Sequence, residues 1–256
     1  MRYNQKLFGV REETLRRLED LYGPQYFENR SGGGGEDYRR EEAKREKMYA
    51  QEMERIKKYI PTFAKGGSVL DVGCGRGEFL SLWGEQWEKF GIELSDHARV
   101  IAESRGVTTH FDPEDNFFDA VVFRGTIQHI PDPIMKISEC YYWLKPGGSL
   151  IFLATPNTHG IVYRLFQDLP FIKEHLNFLL PSDKMLRQIL TNFGFSEIIF
   201  IYPYWGIPYA RPAHDITAFI LRLFRLKRKT NFPFWGNSME CFARKASPPR
   251  AVARKM

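Results

Sequence analysis

The segment Ser68-Val69-Leu70-Asp71-Val72-Gly73-Cys74-Gly75-Arg76-Gly77-Glu78-Phe79-Leu80 constrains the fold more than any other part of the chain. An aliphatic run meets three alternating glycines and passes straight into a stretch, Glu78–Trp83, that reads as a helix. Glycines let a ligand approach the backbone closely, and a helix N-terminus presents unpaired N–H groups. Glu93 stands at the end of the next apolar run, where a carboxylate can take both hydroxyls of a ribose. Together these residues imply a nucleoside-containing ligand lying across the ends of the first two strands.

The glycine spacing separates two chemistries. A dinucleotide site asks for G-x-G-x-x-G, and Glu78 occupies the place of its third glycine. The chain carries G-x-G-x-G instead, with Asp71 just before it. A carboxylate there repels a pyrophosphate and suits a ligand with an ammonium group. The surrounding pattern predicts strands at Ser68–Val72, Lys89–Leu94, Val107–His110, Ala120–Phe123, Ser149–Ala154, Phe195–Tyr202 and Phe234–Arg244. Helices are expected near Asp96–Ser104, Pro133–Leu144 and Ser182–Asn192, and Lys145–Gly148 reads as a turn. Such alternation describes an α/β sheet, mostly parallel, with helices on both faces. Ahead of it come a short helix, Glu12–Leu21, the flexible run Gly32–Gly35, and a long helix over Glu36–Tyr59.

The run Leu70-Asp71-Val72-Gly73-Cys74-Gly75-Arg76-Gly77 resembles the first motif of the class I S-adenosylmethionine (SAM) methyltransferases. Phe90-Gly91-Ile92-Glu93-Leu94-Ser95 resembles their second motif. Phe118–Phe123, continuing through His129-Ile130-Pro131-Asp132-Pro133, resembles their fourth-strand motif. Leu144–Leu150, ending in Thr155-Pro156-Asn157, resembles the turn into their fifth strand. Leu176–Phe195 is similar to the branch containing ubiquinone-biosynthesis O-methyltransferases and sugar or glycan methyltransferases. The resemblance implies a Rossmann-like, seven-stranded sheet whose last strand is antiparallel. It implies SAM as cofactor, lying over Gly73, Gly75 and Gly77. Asp71 would orient the methionine end, and Glu93 would hold the ribose with Leu94 beside it. Asp112 would sit near the adenine and Arg124 near the methyl donor. The domain would span 61–245, with insertions at about 158–181 and 204–232. Residues 1–60 would form a helical lid segment and 246–256 a basic tail.

Methyl transfer to a hydroxyl needs a proton acceptor, and histidine is the usual one. His129 follows the fourth strand and is the first candidate. Relatives often carry Glu-His there. Here the pair is Gln128-His129, so a metal-assisted reaction is disfavoured and no metal is expected. His175, in the insertion after the fifth strand, is the second candidate. The aromatic stretch Tyr202–Tyr209 offers surfaces for a sugar or a flat ring, or else ordinary packing. The expected activity is O-methylation of a sugar or lipid-linked glycan. A small-molecule acceptor such as a quinone precursor, and a non-catalytic SAM-binding scaffold, are the alternatives.

Charge adds a partner expectation. Residues from Arg211 onward carry a balance of +9, whereas the preceding residues carry −3. Ile216, Phe219, Ile220, Leu223 and Phe224 recur at helical spacing beside Arg222, Arg225, Lys227, Arg228 and Lys229. That composition suits a helix lying in a membrane interface, so residues 213–229 read as a peripheral membrane contact. Nucleic acid is the less favoured partner, because no Asn-Pro-Pro-Tyr-like motif is present. Three dispersed cysteines and a charged N-terminus without an apolar core point to a reducing, cytoplasmic setting, at most peripheral to the inner membrane face. The sequence does not indicate an oligomeric state.

Overall fold

The computed structural model describes residues 12–24, 26, 42–169, 177–226, 229–230 and 234–247. Six strands form one sheet: β1 (Gly67–Val72), β2 (Trp87–Ile92), β3 (Phe118–Arg124), β4 (Leu144–Pro156), β5 (Phe195–Ile201) and β6 (Ser238–Lys245). Their spatial order is β2-β1-β3-β4-β6-β5. All pairings are parallel except those of β6, which runs antiparallel to both neighbours. The chain leaves β1 in one direction to β2 and returns to its other side at β3. This reversal opens a crevice at the carboxyl ends of β1 and β3, where ligands of such sheets bind.

Alternation along the strands separates two cores. Leu70, Val72, Val121, Phe123, Leu150 and Phe152 point to one face. There they meet Ile137 and Cys140 of α4 (Pro133–Trp143), and Leu186 and Leu190 of α6 (Asp183–Asn192). Val69, Ala120, Val122, Ile151 and Leu153 point to the other face, against Tyr49, Met53 and Ile56 of α2 (Glu42–Tyr59). Each fully buried Val, Leu, Ile or Phe among them contributes about 1.5–3 kcal/mol relative to exposure. Caps fix the helix starts. Ser95 accepts from the Ala98 N–H at the head of α3 (Asp96–Ser104), Asp132 from Met135 in α4, and Ser182 from Met185 in α6. The remaining helices are α1 (Glu12–Leu21), α5 (Ile161–Phe166) and α7 (Pro212–Leu223).

Several sequence expectations are corrected. Among the described residues the sheet has six strands rather than seven, because Val107–His110 makes only one bridge, Thr108 to Phe90. The segment is pulled away by Glu103 of α3, which accepts from the Thr109 hydroxyl and binds His110 at 3.0 Å. Glu78–Trp83 forms only a 3-10 turn at Leu80–Leu82, since Phe79, Leu80 and Trp83 are all buried and draw the segment into the core. The expected turn Lys145–Gly148 is a bulge inside β4, with Gly147 at φ 80°. The last strand begins at Ser238, after a tight turn in which Trp235 takes a left-handed φ of 45°. The helix expected up to Lys229 ends at Leu223, where Arg225 adopts φ 64°. Gly32–Gly35, and most of the tail after 245, lie outside the described residues.

Candidate functional site

The glycine turn closes β1 at the crevice. Gly73 sits at φ 86°, and a Cβ there would lie 2.2 Å from the Thr126 methyl. Thr126, just beyond β3, donates its hydroxyl to the Val72 carbonyl at 2.7 Å, so the two strand ends are laced together. Gly75 (φ 55°) and Gly77 (φ 76°) also need the left-handed region. No α-helix follows the turn. The N–H groups of Gly73 and Cys74 are bonded to the Ile92 carbonyl, and that of Gly75 to Glu93. The turn is therefore a rigid concave wall rather than the open head of a helix.

Asp71, the fifth residue of β1, is buried, and its Oδ1 has no hydrogen-bond partner. Burial pushes its carboxyl up to about 7, even against the opposing pull of Arg124. An unpaired buried carboxylate oxygen is expensive, and a donor-bearing cation would relieve it. Glu93, at the end of β2, accepts from the Gly75 N–H through Oε2 and from the Ser95 N–H through Oε1, both at 2.9 Å. Burial raises its carboxyl above the ordinary range, while those two N–H groups favour the anion. The carboxylate keeps lone-pair capacity for a ribose hydroxyl. Leu94 is buried beside it, and its carbonyl accepts from Arg99 at 3.2 Å. Asp112 is exposed in the loop after Phe111, whose ring packs on Phe90 and Phe118.

Arg124, at the end of β3, does not stand alone. Its guanidinium is paired with the buried Glu52 of α2 and lies 4.2 Å from the centre of the Tyr49 ring. His129 is half-buried in the 3-10 turn after β3. Its Nε2 accepts from the Gln128 amide at 3.1 Å, and its ring meets Tyr22 edge-on. Tyr22, just past α1, faces both His129 and the Glu93 charge. Burial pushes its hydroxyl well above the ordinary value, with Tyr26 and Glu93 adding to the effect. His175 lies outside the described residues.

A cavity of about 500 Å³ opens further along the same sheet edge, where β4 and β5 end and β6 begins. Tyr202, Tyr204, Trp205, Phe234 and Trp235 line it, together with Asn157, His159 and Asp183. Asn157 ties its walls together: Oδ1 accepts from the N–H groups of His159 and Asp183, and Nδ2 donates to the Gly236 carbonyl. His159 Nδ1 lies 2.9 Å from Asp183 Oδ1, and the Tyr202 hydroxyl donates to Asp183 Oδ2 at 2.5 Å.

A family model described as a methyltransferase domain matches residues 41–198. The chain belongs to the class I SAM-dependent methyltransferases. It is 29% identical over 164 residues to a tRNA U34 carboxymethyltransferase of Desulfotalea psychrophila, covering 57% of this chain and 50% of that protein. It is 31% identical over 170 residues to a ubiquinone biosynthesis O-methyltransferase of Chromobacterium violaceum, covering 54% of this chain and 72% of that protein. The match thus spans half the length of one relative and most of the other. The fold is shared with Haemonchus contortus phosphoethanolamine N-methyltransferase 2, solved with SAM. The TM-score is 0.57 at 18% identity, covering 97% of this chain and 61% of that one.

The site fits SAM on its own geometry. Asp71 offers an orphaned acceptor to an ammonium, Gly73 keeps the wall bare, and Glu93 offers lone pairs to a ribose. Sequence reasoning passed over Glu52, although it falls among Tyr49, Met53 and Ile56 on the buried stripe of α2, an odd place for an acid. It also gave His159 no role. Its carboxylate partner is 24 residues away, and no local pattern links the two.

Proposed function

We propose that the methyltransferase transfers the methyl group of SAM to a hydroxyl oxygen of a sugar or lipid-linked glycan. SAM supplies an activated methyl carbon, so the protein's task is alignment, water exclusion and proton removal. Asp71 and Glu93 fix the two ends of the donor, and Tyr22 covers it from the N-terminal side. The observation that carries the acceptor reading is the aromatic cavity beside β4 and β5, whose flat walls and few polar atoms suit a hydroxylated ring. The proton acceptor proposed from the sequence is His129, at the end of β3.

The lipid-linked part of the proposal rests on α7. Asp215, Ala218 and Phe219 turn inward, Phe219 packing on Phe166, Phe234 and Trp235. Ile216, Ile220, Leu223 and Phe224 face outward, and Phe224 is 74% exposed. Ile216 also lines the cavity, so the apolar face and the cavity mouth are continuous. Among the described residues no helix is long and apolar enough to cross a membrane. The face therefore suits peripheral contact, with the nearby basic residues drawn to anionic lipid. A small-molecule acceptor is the second reading, favoured by the likeness to the ubiquinone relative. Label from methyl-labelled SAM should appear in the glycolipid fraction of a lysate. Label in small molecules or RNA would replace the glycan acceptor, and no label in any fraction would favour the scaffold.

A further inference from the structure

We infer that the cavity between the ends of β4, β5 and β6 is the acceptor site, and that His159, held by Asp183, receives the acceptor's hydroxyl proton. This rests on the methyltransferase reading above and moves the proton from His129 to a different residue. Asp183 is engaged within the protein through both oxygens. Its Oδ1 accepts from His159 Nδ1 and the Lys184 N–H, and its Oδ2 from the Tyr202 hydroxyl. Partial burial alone would raise its carboxyl. The Tyr202, Lys184 and His159 donors together outweigh burial and hold it below the ordinary value. A charged Asp183 keeps the proton of neutral His159 on Nδ1. Nε2 is then the nitrogen, lone pair outward, that His159 can offer to the cavity it lines.

An imidazole nitrogen that accepts favours a ligand hydroxyl that donates to it. The same cavity is lined by the rings of Tyr202, Tyr204, Trp205, Phe234 and Trp235, with Trp205 76% and Trp235 60% exposed. Aromatic faces of that extent pack on a ring, so the ligand class is a neutral hydroxylated ring, sugar or phenol. The site opens at the same end of the sheet as the glycine turn. It begins at the end of β4, the neighbour of β3, and the end of β3 is laced to that turn through Thr126. The segment 177–181 bridges the two turns: the Phe178 N–H donates to the Gln128 carbonyl and the Thr158 N–H to the Pro181 carbonyl. In the reaction the acceptor oxygen bonds the methyl carbon as that carbon's bond to sulfur breaks. The sulfur keeps the electron pair, and the hydroxyl proton passes to His159 Nε2. His129 is less suited, because its Nε2 already accepts from Gln128.

Histidine ¹⁵N spectra of the full chain with S-adenosylhomocysteine test this. His159 should show the Nδ1–H tautomer, and Asp183→Ala should abolish that preference. The Nε2 signal should move on adding methyl α-D-glucopyranoside or catechol, and whichever moves it tells sugar from phenol. An Nε2–H tautomer in the wild type, no movement with either ring compound, or movement with ethanolamine alone would each overturn the proposal. In the label-transfer assay His159→Gln should lose about 10²–10⁴-fold in rate, the usual range for general-base assistance, with SAM affinity unchanged. Transfer at the wild-type rate would return the role to His129. A wild-type chain that fails to bind SAM would instead defeat the methyltransferase reading, and the tautomer and ring-compound spectra would still judge the cavity.

Discussion

Arg124 Nε donates to Glu52 Oε2 at 2.7 Å and Arg124 Nη2 to Glu52 Oε1 at 3.3 Å, fastening helix α2 to the end of β3 across 72 residues of sequence. A second two-point pair, Arg55 to Glu240 at 2.7 and 2.5 Å, fastens the same helix to β6.

Glu52→Gln should cost about 3–5 kcal/mol, the usual loss when one partner of a buried pair is removed. Arg124 would lose its paired charge and keep only the Asp71 carboxyl nearby. Urea denaturation measures the loss. A change under about 1 kcal/mol would mean that the pair does not hold α2.

Asp71 should couple SAM affinity to pH. Its carboxyl titrates at about 7, so below that pH it holds a proton that an arriving ammonium must displace. Affinity should weaken by roughly tenfold per pH unit below 7. Calorimetry in buffers of different ionisation enthalpy should show one proton released, and a pH-independent constant would reject this. The folded state binds this proton more tightly than the unfolded chain. The stability Asp71 contributes is therefore full below its ordinary value of 3.8 and is lost as pH rises through about 7.

Glu93→Ala should weaken SAM binding by about 1.5–3 kcal/mol, the usual worth of hydrogen bonds to a charged group. It should also loosen the glycine turn, because the N–H groups of Gly75 and Ser95 lose their acceptor. Amide exchange at Gly75 reads the second effect. Wild-type affinity in the alanine variant would remove Glu93 from the ribose.

Ile220→Glu combined with Phe224→Glu should abolish sedimentation with anionic liposomes while leaving the melting temperature unchanged, since both side chains face outward. Phe219→Ala should do the reverse, lowering stability because its ring packs on Phe166 and Phe234. Liposome binding that survives the double substitution would end the membrane proposal.

The strand, the glycine turn and the position of Glu93 beside it were legible because they are local. They lie within a few dozen residues, and their spacing encodes their geometry. The third strand was misjudged because its fate depends on Glu103, which captures Thr109 and His110 after one bridge. The apolar face of α7 was found but not divided. Periodicity marks a stripe without saying that Phe219 turns in while Ile220 turns out. His159 and Asp183 meet only because Asn157 gathers both backbones, a relation that no spacing rule expresses.

The position of β6 also bears on how the chain reaches this state. Among the described residues the last strand in sequence lies between β4 and β5, and β5 pairs with no other strand. During synthesis β5 emerges well before its only partner, and the Arg55–Glu240 clasp on α2 waits for the same residues. The growing chain therefore carries an unpaired strand edge until residues 238–245 have been made, a state open to aggregation. Completion is an insertion event with high contact order, so refolding should be slow for a domain of this size.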